Sequence, residues 1–468
     1  MKCELPNLLF AVKGALAEIT DYAVGFVTNM NHFLNHFGLQ RDLEQFNKQV
    51  AKLVDVGSRN WYLSQSGVGE QWFNTGNYSK AANIFTEILT SLGTIATYER
   101  CVILGRLGRC FESQEKMEQA AAYYQQGLET AQQLEQTQNV QRLTGLLYTD
   151  LGNALLHMGR YAEAQTAYEQ CLAIATEQND YRQKGVVNGQ LGYLALLQDK
   201  LDDAKQCYQT TLTIFQSLHE PNSEANYWHQ LGRVYQRAKQ WESAEHAYRQ
   251  AANIYEVQGN LPDVAKTWNN LAAVTQMMDK LTEAEAWYHK AIKVHKQFGN
   301  ASNDLHNLAN LLQNQPDRLT EAQQLAEQAL TIKKTLDPAT AEIWKTYELL
   351  GQIADKQGNV QEAKKYRRLA REAKANFAGT RYKLKKLAPL ILMTVQAVEN
   401  AEIRKELETL LGVFDEDLKN LKIAIQRILA GERDVDKLCE PLDFEKAPII
   451  TAILEGIERP SSLKWFEE

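Results

Sequence analysis

Ten polar side chains recur at two fixed places along this chain, and their chemistry suits the capture of an extended peptide. One residue before and two after a repeated apolar residue stand Arg106, Arg109, Asp150, Asn153, Gln190, Gln230, Arg233, Asn270, Asn307 and Asn310. A carboxamide offers both a donor and an acceptor, which matches a peptide backbone. A guanidinium grips a carboxylate through two parallel hydrogen bonds. Lys and Glu, the usual residues of a solvated helix face, are scarce in these slots, while Gly67, Tyr193, Ala273 and Leu349 break the pattern. The residues expected to bind peptide are therefore Arg106, Arg109, Asn153, Gln190, Gln230, Arg233, Asn270, Asn307 and Asn310. An acidic segment is expected to dock at the arginines, with its backbone running on toward the asparagines.

Other chemistry is thinly represented. His32 and His36 are four residues apart, a spacing that can chelate a metal on a helix, but no glutamate or third ligand accompanies them, so no metal site is expected. No phosphate-binding Gly-x-x-x-x-Gly-Lys-Ser/Thr loop occurs, and Gly67-Val68-Gly69-Glu70 falls inside an expected helix. Six cysteines (Cys3, Cys101, Cys110, Cys171, Cys207 and Cys439) form no Cys-x-x-Cys pair, and Cys171 and Cys207 occupy slots expected to be core. No cofactor and no enzymatic activity are expected. Ten basic residues crowd between Lys364 and Lys386 (Lys364, Lys365, Arg367, Arg368, Arg371, Lys374, Arg381, Lys383, Lys385 and Lys386) against Glu372 alone. Aromatic interleaving is too sparse there for a single-strand nucleic-acid binder, so a solvated face or a docking patch for an acidic protein fits better.

The elements that place these side chains follow from an internal repeat. An apolar residue followed by a small one recurs at Val68-Gly69, Leu107-Gly108, Leu151-Gly152, Leu191-Gly192, Leu231-Gly232, Leu271-Ala272, Leu308-Ala309 and Leu350-Gly351. Thirteen residues further on stands Ala81, Ala120, Ala164, Ala204, Ala244, Ala284 or Ala363, with Ala322 at fourteen. Three before each alanine lies an apolar residue, and four after it usually an aromatic: Phe85, Tyr124, Tyr168, Tyr208, Tyr248 and Tyr288. That spacing is one helix face. The small residues let two helices approach, and turns such as Met158-Gly159-Arg160 are short enough to force an antiparallel hairpin. One hairpin cannot bury its apolar face alone, so eight units and sixteen helices are expected to stack, the aromatics filling the space between adjacent pairs.

These residues resemble the tetratricopeptide repeat, whose Trp-x-x-Leu-Gly start is visible at Trp228-His229-Gln230-Leu231-Gly232 and, with alanine for glycine, at Trp268-Asn269-Asn270-Leu271-Ala272. The period near 40 is similar to that of kinesin light chains and bacterial peptide-sensing regulators, and the general layout loosely resembles the sensor part of bacterial signalling ATPases. The resemblance implies an all-α, right-handed superhelical solenoid that holds a protein or peptide partner in its concave groove, as an interaction scaffold. The alternative is a bacterial signalling regulator in which bound peptide repositions an N-terminal helical bundle.

Three regions are expected: 1–57, a helical N-terminal cap carrying Leu8, Val12, Leu16, Val24, Val27, Phe33 and Leu34; 58–378, the repeats; and 379–468, a helical tail. In the tail, helices are expected near 383–399, 402–412, 415–430 and 446–457, with a loop around Cys439-Glu440-Pro441. A net charge of −7 gives no global attraction to nucleic acid or an anionic membrane. The longest apolar run, Ala388 to Val398, is far short of the roughly 20 residues of a membrane span. Met1 to Phe10 shows no secretory pattern, and a reducing cytoplasm is the expected compartment.

Overall fold

Leucine, alanine, glutamine and glutamate dominate the repeats, and each hairpin turn is closed by a residue the helix cannot absorb. Gly159 adopts φ +73° between two helices, its N–H donating to Leu156 O at 3.0 Å and that of Arg160 to Leu155 O at 2.9 Å. Glu115, Asp199 and Asp279 take the same left-handed conformation at the equivalent place, so the turn geometry holds even where glycine is missing. Four first helices, those following Ser58, Thr97, Thr137 and Asp180, begin at side-chain caps: Thr97 Oγ1 accepts from Arg100 N at 3.2 Å, and Asp180 Oδ1 from Gln183 N at 2.9 Å.

The computed structural model describes residues 56–337, 341–375, 377–443 and 445–463. Nearly all of the expected cap 1–57, and with it His32 and His36, lies outside the described residues. No strand occurs among the described residues, and the expected sixteen repeat helices are all present. Two units divide the chain, Met1–Ala238 and Lys239–Glu468.

The first unit contains α1 (Arg59–Asn74), α2 (Tyr78–Leu92), α3 (Tyr98–Glu112), α4 (Met117–Gln132), α5 (Gln138–His157), α6 (Tyr161–Glu177), α7 (Tyr181–Leu197), α8 (Leu201–Ser217) and α9 (Pro221–Arg237). Helices pack in consecutive pairs, α1 on α2 through α7 on α8, and the first helices of successive pairs also touch, α3 with α5 and α5 with α7. The core is correspondingly serial. One cluster joins Trp61, Phe85, Ile88, Ile103 and Leu107, and another joins Tyr168, Cys171, Val187 and Leu194.

All eight repeat alanines, Ala81 through Ala363, are fully buried, as their spacing predicts. The aromatics depart from expectation. Besides meeting the neighbouring pair, each lies across the glycine of its own first helix: a Cβ built on Gly69, Gly108, Gly152 or Gly192 would come within 2.3–2.8 Å of Phe85, Tyr124, Tyr168 or Tyr208 ring carbons. The small residue after the leucine thus seats a ring.

The second unit contains α10 (Trp241–Gln258), α11 (Leu261–Met277), α12 (Leu281–His295), α13 (Ser302–Leu312), α14 (Leu319–Lys333), α15 (Ile343–Lys356) and α16 (Val360–Ala375), then α17 (Ala378–Lys386), α18 (Ala388–Gln396), α19 (Ala401–Gly412), α20 (Lys419–Leu429), α21 (Val435–Cys439) and α22 (Ala447–Glu458). Repeats and tail have separate cores, the first around Tyr288, Leu305, Leu308 and Ile353, the second around Ile391, Leu407, Ile425 and Ile450.

Two features of the tail differ from the sequence expectation. The helix expected over 383–399 is broken at Leu387, because Pro389 in the first turn of α18 has no N–H to continue a helix from α17. The loop expected at Cys439 instead ends a short helix, which Asp434 caps by accepting from Asp436 N at 3.0 Å and Lys437 N at 3.2 Å, and which buries Leu438 and Cys439.

Candidate functional site

The face of the first helices that carries the recurrent polar slots is not inert. Twice in the first unit a residue two after the repeated apolar residue of one repeat meets a residue one before that of the next. Glu70 Oε1 accepts from Arg106 Nε at 2.7 Å, and Asp150 Oδ2 accepts from Arg109 Nε at 2.9 Å. Two of the three arginines predicted to anchor an acidic ligand are therefore already ion-paired across repeats, and Arg106 also lies over the Phe85 ring, 5.6 Å from its centroid.

The Arg109 and Asp150 ends differ in environment. The Arg109 side chain is half exposed and that of Asp150 only 18% exposed. Burial outweighs the neighbouring guanidinium and holds the Asp150 carboxyl above its ordinary value. Beside them, Tyr124 Oη donates to Glu112 Oε2 at 2.7 Å, and burial pushes the phenol far up.

A folded-state carboxyl raised above its unfolded value contributes its full stability below the unfolded value and loses it as pH rises through the raised one. Asp150→Asn, which keeps an acceptor for Arg109, should therefore be at least as stable as the parent at pH 7, with any advantage vanishing as pH falls toward 3. Urea unfolding between pH 3 and 8 measures this. A variant weaker at pH 7 than at pH 3, relative to the parent, would contradict it.

The next rungs carry amides and one arginine and are partly unspent. Asn153 Oδ1 accepts from Tyr168 Oη at 2.8 Å, and its Nδ2 donates no hydrogen bond among the described residues. Gln190 on α7 is half-buried, and its side chain makes no hydrogen bond among the described residues. On α9, Gln230 Oε1 accepts from Arg233 Nη1 at 2.8 Å. Arg233 is half-buried and has no carboxylate partner among the described residues. Of the predicted arginines it is the one with charge to spare.

In the second unit the predicted asparagines are built into local networks. Asn307 Nδ2 donates to Asn269 Oδ1 at 3.1 Å, and Asn269 in turn donates to the buried Asp304, whose other oxygen lies 2.6 Å from His295 Nδ1. That carboxylate holds the His295 imidazole above its ordinary pKa. Asn310 Oδ1 accepts from Gln313 Nε2 at 2.7 Å, and Gln313 reaches Gln352 at 3.3 Å. Asn270 is half-buried on α11. Sequence reasoning missed Asn269, His295 and Asp304, which lie outside the two slots.

Residues 99–177, 184–256 and 263–335 match the family model described as the tetratricopeptide repeat. The chain carries tetratricopeptide repeats. Among solved structures, the apo form of RapI aligns over 75% of this chain and 97% of its own at 13% identity, with a TM-score of 0.56. The apo form of the quorum sensor NprR from B. thuringiensis aligns over 78% of this chain and 98% of its own at 14% identity, with a TM-score of 0.52. Kinesin light chain TPR-like repeats from Podosopora anserina align over 44% of this chain and 99% of their own at 16% identity, with a TM-score of 0.39. The two larger alignments establish the fold, an all-helical repeat. No curated protein sequence matches this chain.

Proposed function

We propose that this chain is a non-enzymatic adaptor that holds an extended segment of a partner protein on the first-helix face of its repeats, with Asn153, Gln190, Gln230 and Arg233 as the principal contacts in the first unit. The observation that carries this reading is the run of half-buried amides followed by an arginine free of carboxylates, on three successive first helices. Polar groups with hydrogen-bonding capacity in reserve suit a peptide backbone and one acidic group. Arg106 and Arg109 then frame the site through their ion pairs with Glu70 and Asp150 rather than serving as free anchors.

Covalent catalysis has little support among the described thiols. Burial raises Cys101 to about 11, Cys110 to about 12 and Cys439 to about 11, and lifts Cys171 and Cys207 as well, which disfavours the nucleophilic thiolate. Among the described residues no helix is long and apolar enough to cross a membrane, which fits a cytoplasmic adaptor. The fold shared with a quorum sensor keeps a signalling role open for the same face, with peptide binding expected to change the repeat geometry.

Selection from a displayed random-peptide library, followed by fluorescence anisotropy on the selected sequences, tests the proposal. Binders should carry an acidic group. Arg233→Glu should weaken them at least tenfold, and Arg233→Lys, which keeps the charge without the planar fork, should weaken them less. Binding unaffected by Arg233→Glu would overturn the assignment.

A further inference from the structure

In the first unit a cavity of about 500 Å³ opens between the second helices α4 and α6. Its lining includes Ala121 and Gln125 of α4, Tyr148 of α5, and Glu163, Ala167 and Gln170 of α6. The small side chains of the two alanines leave this space. At the preceding junction the slot of Ala167 belongs to Tyr123, whose ring stacks 5.2 Å from that of Phe111.

The same slots in a later repeat show what such a space holds. Counted from the repeat alanines, Ala121, Gln125, Glu163, Ala167 and Gln170 correspond to Glu245, Arg249, Glu283, Trp287 and Lys290, while Tyr148, three before its leucine, corresponds to Trp268. Trp287 of α12 is partly buried, and side chains from both flanking second helices reach its ring. The Arg249 guanidinium of α10 lies 5.5 Å from the ring centroid, and the Lys290 ammonium lies 4.4 Å from it and 5.5 Å from that of Trp268. Trp287 Nε1 donates to Glu283 Oε1 at 3.3 Å, and Glu283 also accepts from Arg249. Each of these four neighbours has a counterpart lining the cavity between α4 and α6. The ring has none, because Ala167 stands where Trp287 does. Glu245, which accepts from Arg249 and Lys280, is likewise replaced by Ala121, so both walls recede.

We propose that this cavity binds an indole, its ring against Tyr148 between Gln125 and Gln170 and its N–H on Glu163, in the place that Trp287 takes in the later repeat. The volume is in the range of small-molecule sites, and an indole on a phenol is a favourable aromatic pair. Amides stand where the later repeat has Arg249 and Lys290, which suits a neutral ligand. Glu163 already accepts from Arg160 Nε at 2.7 Å and Nη2 at 2.5 Å. A carboxylate has about four acceptor sites, however, and Glu283 is shared between an arginine and an indole in the same way. None of Asn153, Gln190, Gln230 and Arg233 lines this cavity, so the two proposals stand or fall separately.

Isothermal titration of the full chain with N-acetyltryptophanamide, its 1-methyl analogue and indole gives the test. N-acetyltryptophanamide should bind with a dissociation constant of about 0.1–1 mM, as its size allows. The 1-methyl analogue, which has no ring N–H, should bind at least about fivefold more weakly. Glu163→Ala should erase that difference, weakening the first ligand and leaving the second unchanged; the Glu163 side chain is 57% exposed, so the fold tolerates its loss. Ala167→Trp should supply the ring from α6 itself. This variant should bind none of the three ligands and melt no lower than the parent, although a buried alanine ordinarily resists so large a side chain. Indole within tenfold of N-acetyltryptophanamide assigns the site to a free small molecule, and a wider gap in favour of the amide assigns it to a tryptophan of a partner chain. No binding of either, equal affinity for the methylated analogue, an unaffected Glu163→Ala variant, or an Ala167→Trp variant that melts lower or still binds would overturn the proposal.

Discussion

Gly152→Ala is expected to destabilise the first unit by about 1–3 kcal/mol, although alanine is the better helix former. The added Cβ would sit 2.5 Å from Tyr168 Cε1 and 2.7 Å from Cδ1. Tyr168 is fully buried and its hydroxyl is tied to Asn153, so the ring has nowhere to retreat. The same contact places Asn153, so the substitution should also weaken any ligand held there. Gly351 provides the internal contrast. Its repeat has Arg367 where six others have an aromatic, and the nearest atom to a built Cβ is Arg367 Cγ at 3.5 Å. Gly351→Ala should therefore stabilise the second unit by about 0.5–1 kcal/mol. Denaturant unfolding of both variants measures the difference, and equal effects would refute the ring-on-glycine account.

Ala204→Leu should also be costly. Ala204 is fully buried where α8 packs on α7, and Gly192 on α7 already lies against Tyr208 and Cys207 of α8. Three extra carbons force these helices apart, for a loss of about 1–3 kcal/mol or more. In a unit of this size each kcal/mol lowers the melting temperature by roughly 2–4 °C. A variant melting with the parent would show that the alanine period does not mark the helix crossings.

The repeat was legible because its constraints are local and recur: a small residue after leucine, an alanine thirteen on, and an aromatic four beyond. The rings' seating on glycine was not, because the spacing of Tyr168 and Gly152 fits a ring turned toward the next pair equally well. The polar face was half legible. Its two slots were visible, but each was read by itself, so Arg106 and Arg109 looked like free anchors. The missing rule joins the slots: two after the leucine in one repeat meets one before it in the next, which pairs Glu70 with Arg106 and Arg109 with Asp150. Applied to the sequence, that rule would have set Arg233 apart, since the following slot holds the uncharged Asn270. The His295–Asp304–Asn269 network gave no such signal, because its members come from different helices and outside the recurrent slots. The break at Leu387 was foreseeable from Pro389.

The central claim is that a peptide lies on the first helices rather than the second. The direct measurement is the affinity of one selected peptide for two double variants in the first unit: Gln190→Ala with Arg233→Ala on α7 and α9, and Gln209→Ala with Thr210→Ala on the exposed side of α8. Loss of one amide hydrogen bond and one charged hydrogen bond amounts to about 2–4 kcal/mol, so the first pair should weaken binding at least about thirtyfold and the second less than about twofold. Comparable losses from both pairs, or a loss confined to Gln209 and Thr210, would contradict it.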